Sequence, residues 1–363
     1  MSSTLSKVGL FACGIYSITS ILTWCYRNER NDDVKDNHDK HDTVTTLKFK
    51  KLTQKCLETA IKNLPNPEEI ISVSIQHGEI TNLKCISSLY NLRELDITYN
   101  HISDLRPLSI LVNLQILNLE MNRITDVCPL KSLVNLRDLS LRSNQISNIE
   151  PIRHLVNLQS LILMDNEISD IRPLNHLRNL QELFLDGNCI SDIRPLSRLM
   201  NLQTLDVCSN VITDVGALRR LVKLRRLYLD GNHISDLEPL SCLRNLEVIQ
   251  LRYNNISDVG GLSGLVNLVI LDLIGNEISD LEPLSSLMNL EILQLRYNNI
   301  SYVGGLKYML KISKLCISDI RVPTNIINTI KRNKHQFILL ESTIPKNYRC
   351  PFSNLREFGI LGL

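Results

Sequence analysis

The sequence predicts an α/β solenoid with a concave parallel sheet and short 3-10 or helical segments on the convex side. A hexapeptide close to LxLxxN recurs ten times, and its final asparagines are always 22 residues apart. The alternating leucines give each unit a short strand with one buried and one exposed face. A single unit cannot bury its leucines alone, so the units must stack into one continuous sheet.

The asparagine that ends each hexapeptide follows the strand at the point where the chain turns. A buried asparagine carries one acceptor and two donors, so it can satisfy the backbone groups of that turn. We therefore predict a structural ladder formed by Asn100, Asn122, Asn144, Asn166, Asn188, Asn210, Asn232, Asn254, Asn276 and Asn298.

The second half of each unit predicts a tight convex segment. Ser-Asp or Thr-Asp usually follows the ladder asparagine, and these residues form local hydrogen bonds in turns. Proline then suits the first turn of a 3-10 segment. It occurs in seven units, at positions 107, 129, 151, 173, 195, 239 and 283. Gly260, Gly261, Gly304 and Gly305 share this phase and are predicted as convex turns rather than phosphate-binding loops.

The repeats, with one degenerate unit at each end, occupy residues 71–320. Both ends of such an array need covering. Residues 46–70 are predicted to form a helical N-terminal cap, because Leu57, Ala60, Ile61 and Leu64 have helical spacing and Pro65 ends the run. Residues 321–363 are predicted to form a C-terminal cap.

The N-terminal segment, residues 1–30, is hydrophobic, and its uncharged stretch 8–26 is just long enough to span a bilayer as a helix. We expect an uncleaved membrane anchor there, with a cleaved signal peptide or a simple chain end as alternatives. The flanking charges are nearly symmetric, so the orientation stays open. Residues 31–45 are charged and are predicted to be a linker. Membrane association is thus the expected location, with the cytoplasm as the alternative.

Composition argues against several function classes. There are 40 Lys and Arg against 38 Asp and Glu, which disfavours a nucleic-acid binder. The ten cysteines form no CxxC pair, and no phosphate-binding loop, dinucleotide fingerprint or HExxH motif occurs. His38 and His41 lie in the charged linker, where solvated side chains are the expectation. We predict a protein that is not an enzyme and has no catalytic residue, metal or cofactor.

The pattern ISDIxPLxxLxNLQxLxLxxN resembles internalin-type leucine-rich repeats and, in repeat length, the leucine-rich regulatory subunit of type-1 protein phosphatase. The internalin resemblance implies a concave face that grips a receptor, and hence a membrane-displayed receptor-binding or adhesion protein as one alternative. The phosphatase resemblance implies a concave column of alternating aromatic and acidic residues, which Phe184, Asp206 and Tyr228 match. A leucine-rich-repeat ubiquitin ligase is a remote alternative, because little chain follows position 320.

Function in such a scaffold is expected on the exposed face of the strands, because the leucines and asparagines are committed to the fold. Tyrosine and arginine are enriched at binding hot spots. The alternative is that exposed strands simply favour β-forming residues. We predict a scaffold that binds an unidentified protein on its concave face, with two patches. An acidic-aromatic centre contains Phe184, Asp186, Asp206, Tyr228 and Asp230, and a C-terminal patch contains Arg252, Tyr253, Arg296 and Tyr297.

Overall fold

The computed structural model describes residues 46–317 and the strand 338–340. These residues form one sheet in which fourteen parallel strands follow one another in chain order. The predicted solenoid is confirmed. The strands are β1 Thr46–Lys50, β2 Ser72–Gln76, β3 Glu94–Asp96, β4 Ile116–Asn118, β5 Asp138–Ser140, β6 Ser160–Ile162, β7 Glu182–Phe184, β8 Thr204–Asp206, β9 Arg226–Tyr228, β10 Val248–Gln250, β11 Ile270–Asp272, β12 Ile292–Gln294, β13 Lys314–Cys316 and β14 Ile338–Leu340.

Short 3-10 segments connect the strands on the convex side, and all seven predicted prolines lie at the start of one. The prediction for this half of the repeat is confirmed. The segments are Pro67–Glu69, Lys84–Ser88, Arg106–Ile110, Cys128–Ser132, Glu150–His154, Arg172–His176, Arg194–Arg198, Gly216–Arg220, Glu238–Leu240, Gly260–Leu262, Glu282–Ser286 and Gly304–Tyr308.

Two local devices shape these convex turns. The carboxylate of Asp170 accepts a hydrogen bond from the backbone N–H of Arg172 at 2.9 Å, and equivalent residues repeat this contact along the array. Gly261 takes the place of proline in its repeat. A Cβ there would overlap the carbonyl group of Leu237 in the preceding repeat, so close stacking requires glycine.

The register places equivalent positions of neighbouring repeats side by side. Leu161 of β6 pairs with Leu183 of β7, which pairs with Leu205 of β8. These three leucines have no measurable solvent exposure, and equivalent residues continue one core along the array. The stack is therefore held together mainly by apolar burial between adjacent repeats.

The predicted asparagine ladder is confirmed at all ten positions. Asn188 is typical: its amide donates to the carbonyls of Leu163 and Leu185, each at 3.0 Å. Its Oδ1 accepts from the backbone N–H of Ile168 at 3.0 Å. Each ladder residue therefore bonds to the preceding repeat as well as to its own turn.

A second asparagine ladder, which we did not predict, precedes the strands. Its side chains donate to a backbone carbonyl 23 residues earlier, as Asn179 does to Val156 at 2.9 Å. Lysine replaces asparagine at positions 223 and 311, and Nζ of Lys223 donates to Oδ1 of Asn201 at 2.8 Å. The NLQ element of the repeat was the visible signal. The members are Asn91, Asn113, Asn135, Asn157, Asn179, Asn201, Asn245, Asn267 and Asn289.

The start of the array corrects the predicted helical cap of residues 46–70. The helix itself is confirmed as α1, Gln54–Lys62, which buries Leu57 and Ile61. Residues 46–50, however, form β1, which pairs in parallel with β2. Leu47 and Phe49 pack against the core from this strand. The alternation of apolar and polar residues in TLKFK is a strand pattern. The prediction missed this strand because the longer helical pattern that follows dominated the segment.

Several predictions lie outside the described residues. These are the anchor at 8–26, the linker at 31–45 and most of the C-terminal cap at 321–363. Within that last range, β14 adds a strand to the sheet beside β13. Across residues 46–317 and 338–340, no helix combines the length and apolar character needed to cross a bilayer.

Candidate interaction surface

The residues between the two core leucines of each strand lie on the concave face. Phe184 of β7 pairs with Asp206 of β8, which pairs with Tyr228 of β9. The predicted aromatic–acidic–aromatic neighbourhood is therefore confirmed. Adjacent members are one strand apart, ~4.8 Å by the usual spacing of strands in a sheet.

The expected exposure of this centre is wrong for three of its five residues. Phe184 is 2%, Asp206 3% and Asp230 2% exposed. Tyr228 and Asp186 are half-buried. Alternation along a strand predicts which face a side chain occupies. It does not predict burial on that face, where strands ~4.8 Å apart let a large side chain cover a smaller neighbour.

Burial changes the ionisation of the acidic residues. It raises the pKa of Asp186 to about 7, helped by the nearby negative charge of Asp206. It raises the pKa of Asp206 to about 6 and that of Asp230 well above its usual value. Each carboxyl group holds its proton more tightly in the folded state. The stabilising contribution of Asp206 and Asp186 is therefore full below their unfolded pKa of about 4 and is lost as pH rises through about 6 and 7.

Cys208 lies among these carboxyl groups and is also buried. Burial raises the pKa of its thiol well above the usual value, and the charges of Asp206 and Asp230 act in the same direction. The thiolate is the nucleophilic form of cysteine. A thiol held protonated in this way is a poor nucleophile.

Arg252 has a structural role that the sequence reading did not assign to it. Its guanidinium donates to Oδ2 of Asp272 from Nε at 2.7 Å and from Nη2 at 2.6 Å. Its backbone N–H donates to Oδ1 of Asp230 at 2.7 Å. Asp272 and Asp230 are both buried, so Arg252 compensates two carboxyl groups that water does not reach. This arginine is committed to the sheet.

The other three residues of the predicted C-terminal patch are half-buried. Tyr253 and Tyr297 precede ladder asparagines and adopt a left-handed backbone, with φ of 51° and 59°. The ring of Tyr253 covers Gly275, where any Cβ would overlap it. Nε of Arg296 is buried, and its N–H donates to no acceptor among the residues described. The accessible part of the patch therefore includes Tyr253 and Tyr297, whereas Arg252 is engaged by Asp272 within the sheet.

The partly accessible residues of the acidic centre are Asp165, Glu182, Asp186 and Tyr228. Tyr228 lies on β9, two strands from β7, which carries Glu182 and precedes Asp186. Asp165 is exposed and forms an ion pair with Arg142 at 3.2 Å, and Glu182 is half-buried. Oδ1 of Asp186 is buried and has no hydrogen-bond partner within the described structure. No group of histidine, cysteine and acidic residues suited to a metal ion occurs in residues 46–317 and 338–340.

A separate groove of about 650 Å³ follows the second asparagine ladder. It contains an ion pair between Arg225 and Glu247, at 2.5 Å. Its other walls mix amides with both charge signs, so it has no single chemical preference. The lining residues are Gln203, Lys223, Arg225, Asn245, Glu247, Asn267, Val269, Asn289, Glu291 and Lys311.

Family models recognise the repeats directly. The model for two-copy leucine-rich repeats matches residues 90–132, 112–154, 134–176, 156–198 and 244–286. Two further leucine-rich-repeat models match residues 178–234 and 286–307. Comparison with curated protein sequences gave no match.

Solved structures share the fold. An internalin, InlF, from Listeria monocytogenes is 25% identical, with a TM-score of 0.67 over 81% of this chain and 95% of its own. Internalin C2 from the same organism is 33% identical, with a TM-score of 0.52 over 55% of this chain and 91% of its own. A chain of the TLR13–ssRNA13 complex is 22% identical, with a TM-score of 0.63 over 81% of this chain and 46% of its own, and it shows the fold alone. The chain is a leucine-rich-repeat protein, and its repeats are internalin-like.

Proposed function

We propose that this protein is a non-enzymatic scaffold that binds a protein partner on the concave face of its repeats. The leucine-rich-repeat fold supports an interaction scaffold in general. One observation carries the finer proposal: the repeats of β6 to β9 combine the partly accessible carboxyl groups of Asp165, Glu182 and Asp186 with the half-buried ring of Tyr228 on one concave face. The heart of the surface is therefore Asp165, Glu182, Asp186 and Tyr228, rather than the buried Phe184.

The chemistry of this surface favours a basic partner segment with an apolar side. The carboxylates of Asp165 and Glu182 would mainly steer the encounter. Tyr228 would supply apolar contact area, as tyrosine does at many hot spots.

The phosphatase-regulator alternative receives no support from this geometry. That resemblance required Phe184, Asp206 and Tyr228 to be presented together to a partner. Phe184 and Asp206 are buried, so only Tyr228 of the three offers accessible area. The receptor-binding alternative uses the same concave face, and identification of the captured partner would distinguish it.

A paired substitution tests the concave site. Glu182→Lys with Tyr228→Ala should weaken partner binding by about 2 kcal/mol or more, because it removes an aromatic contact and reverses a steering charge. Capture from a cell extract with the full-length chain as bait, scored by quantitative mass spectrometry, measures the loss.

The matched control is Arg172→Ala with Arg194→Ala on the convex side. These arginines are 81% and 83% exposed and pair only with turn aspartates, so their loss should leave both fold and capture intact. Capture that survived the concave pair and was lost with the convex pair would refute the concave site.

We also propose that residues 8–26 anchor the chain in a membrane, because the stretch is uncharged and long enough to span a bilayer. A fluorescent fusion of residues 1–45 should sediment with membranes and resist alkaline carbonate extraction. Recovery of the fusion in the soluble fraction would refute the anchor.

A further inference from the structure

One flank of the solenoid is strongly basic. It consists of the seven-residue stretches that lead from the end of a 3-10 segment to the next strand in five successive repeats. These stretches are 131–137, 153–159, 175–181, 197–203 and 219–225, and we call them together the basic flank. They contain nine lysines and arginines, two histidines and no acidic residue: Lys131, Arg137, Arg153, His154, His176, Arg178, Arg198, Arg219, Arg220, Lys223 and Arg225.

The repeat geometry gathers these charges on one surface. The strands that follow the five stretches, β5 to β9, pair side by side in register, so equivalent flank residues are neighbours. All eleven basic side chains belong to exposed residues. Arg153 and Arg225 pair with Glu150 and Glu247. Arg178, Arg198, Arg219 and Arg220 form no ion pair with a described carboxylate. The repeats therefore keep a positive strip, ~20 Å long at the usual strand spacing.

Exposed aliphatic side chains are interleaved with these cations. The residue before the second-ladder position is apolar in four of the five stretches: Val134, Val156, Met200 and Val222. These side chains are 43%, 46%, 44% and 50% exposed. Aliphatic and cationic side chains thus share one surface, and the five stretches themselves contain no acidic residue. The fold does not require aliphatic side chains at these four positions, because solvent-facing turn positions accept polar residues equally well.

We propose that the basic flank docks on an anionic phospholipid surface. Lysine and arginine side chains near a bilayer are attracted by anionic headgroups, and adjacent aliphatic side chains can enter the interfacial region. A single-stranded nucleic acid is less well matched, because the five stretches contain no phenylalanine, tyrosine or tryptophan ring on which bases could stack.

The concave carboxylates of the same repeats are consistent with this docking. Asp165, Glu182 and Asp186 belong to the repeats that supply the flank. An anionic membrane attracts the flank and repels the carboxylates. The docked chain would therefore present its concave face to a partner. This inference rests on the flank alone and does not require the concave proposal to be correct.

The test is sedimentation of the full-length chain with vesicles of phosphatidylcholine, with and without a minority of phosphatidylserine. Pure phosphatidylcholine measures any contribution of residues 8–26, and the added phosphatidylserine isolates the charge-dependent part. Arg198→Gln, Arg219→Gln and Arg220→Gln together should weaken the phosphatidylserine-dependent binding at least about tenfold, given the usual contribution of each cation near such a surface.

The matched control is Arg106→Gln, Arg172→Gln and Arg194→Gln. This triple variant also removes three exposed arginines, but each of them pairs with a turn aspartate on the convex side. It should bind as wild type does. Equal affinity of the wild type for both vesicle types, or undiminished binding by the flank variant, would overturn the inference. Preferential binding of a single-stranded RNA over the vesicles, lost in the flank variant, would also overturn it.

Discussion

Replacing Asn188 by leucine should lower the free energy of unfolding by about 1–3 kcal/mol. The substitution removes the donor to the carbonyls of Leu163 and Leu185 and the acceptor for the N–H of Ile168. The two carbonyls keep a hydrogen bond from Asn166 and Asn210, but the buried N–H of Ile168 is left without an acceptor. Each buried backbone group left unpaired costs about 1–3 kcal/mol. Chemical denaturation followed by circular dichroism measures the difference.

Asn179→Leu is the matched control, because it removes an equivalent side-chain hydrogen bond from the second ladder. Its amide donates to the carbonyl of Val156 at 2.9 Å, but this contact is exposed, so water can take its place. The control should shift stability by less than about 1 kcal/mol. Equal stability losses for the two variants would contradict the structural role of the buried ladder.

Replacing Phe184 by alanine should lower the free energy of unfolding by about 3–5 kcal/mol, the usual cost of truncating a buried phenylalanine. The ring is 2% exposed and lies on β7 between Ile162 of β6 and Asp206 of β8. Its removal leaves a cavity in the middle of the concave face. This expectation reverses the one drawn from the strand pattern, in which Phe184 was an exposed partner-binding residue that the fold did not need.

Tyr90→Ala provides the comparison, since Tyr90 is an aromatic residue of the same array that is 54% exposed. Its truncation should change stability by well under 1 kcal/mol, roughly as for other surface substitutions. Melting curves of both variants decide the matter. If Phe184→Ala melted with the wild type, the ring would have to be exposed in solution.

The backbone of this protein was largely predictable, because the 22-residue period determines position in the repeat. Once Leu161, Leu183 and Leu205 share a phase, their strands must pair in that register, and the ladder asparagines follow. β1 escaped the prediction because Thr46–Lys50 lacks the ladder asparagine and lies outside the period. Short strands without a repeat leave too little signal to compete with a helix beside them.

The interaction surface was less predictable, because burial on the concave face depends on neighbouring repeats. The pattern placed Phe184, Asp206 and Asp230 on the correct face, yet their exposure is decided by side chains 22 residues away. Arg252 was assigned to partner binding because its ion pairs were not visible in the sequence. Its two acidic neighbours, Asp230 and Asp272, belong to the preceding and the following repeat. The basic flank was visible in the sequence only once the repeats were aligned by period.

Site-specific photo-crosslinking tests the central claim, that the concave face binds the partner. A photoreactive phenylalanine analogue is placed at Tyr228 in one full-length chain and at Arg194, on the convex side, in another. The account predicts that the chain labelled at position 228 forms a covalent adduct with the captured partner and that the chain labelled at position 194 does not. An adduct formed only from position 194 would contradict it.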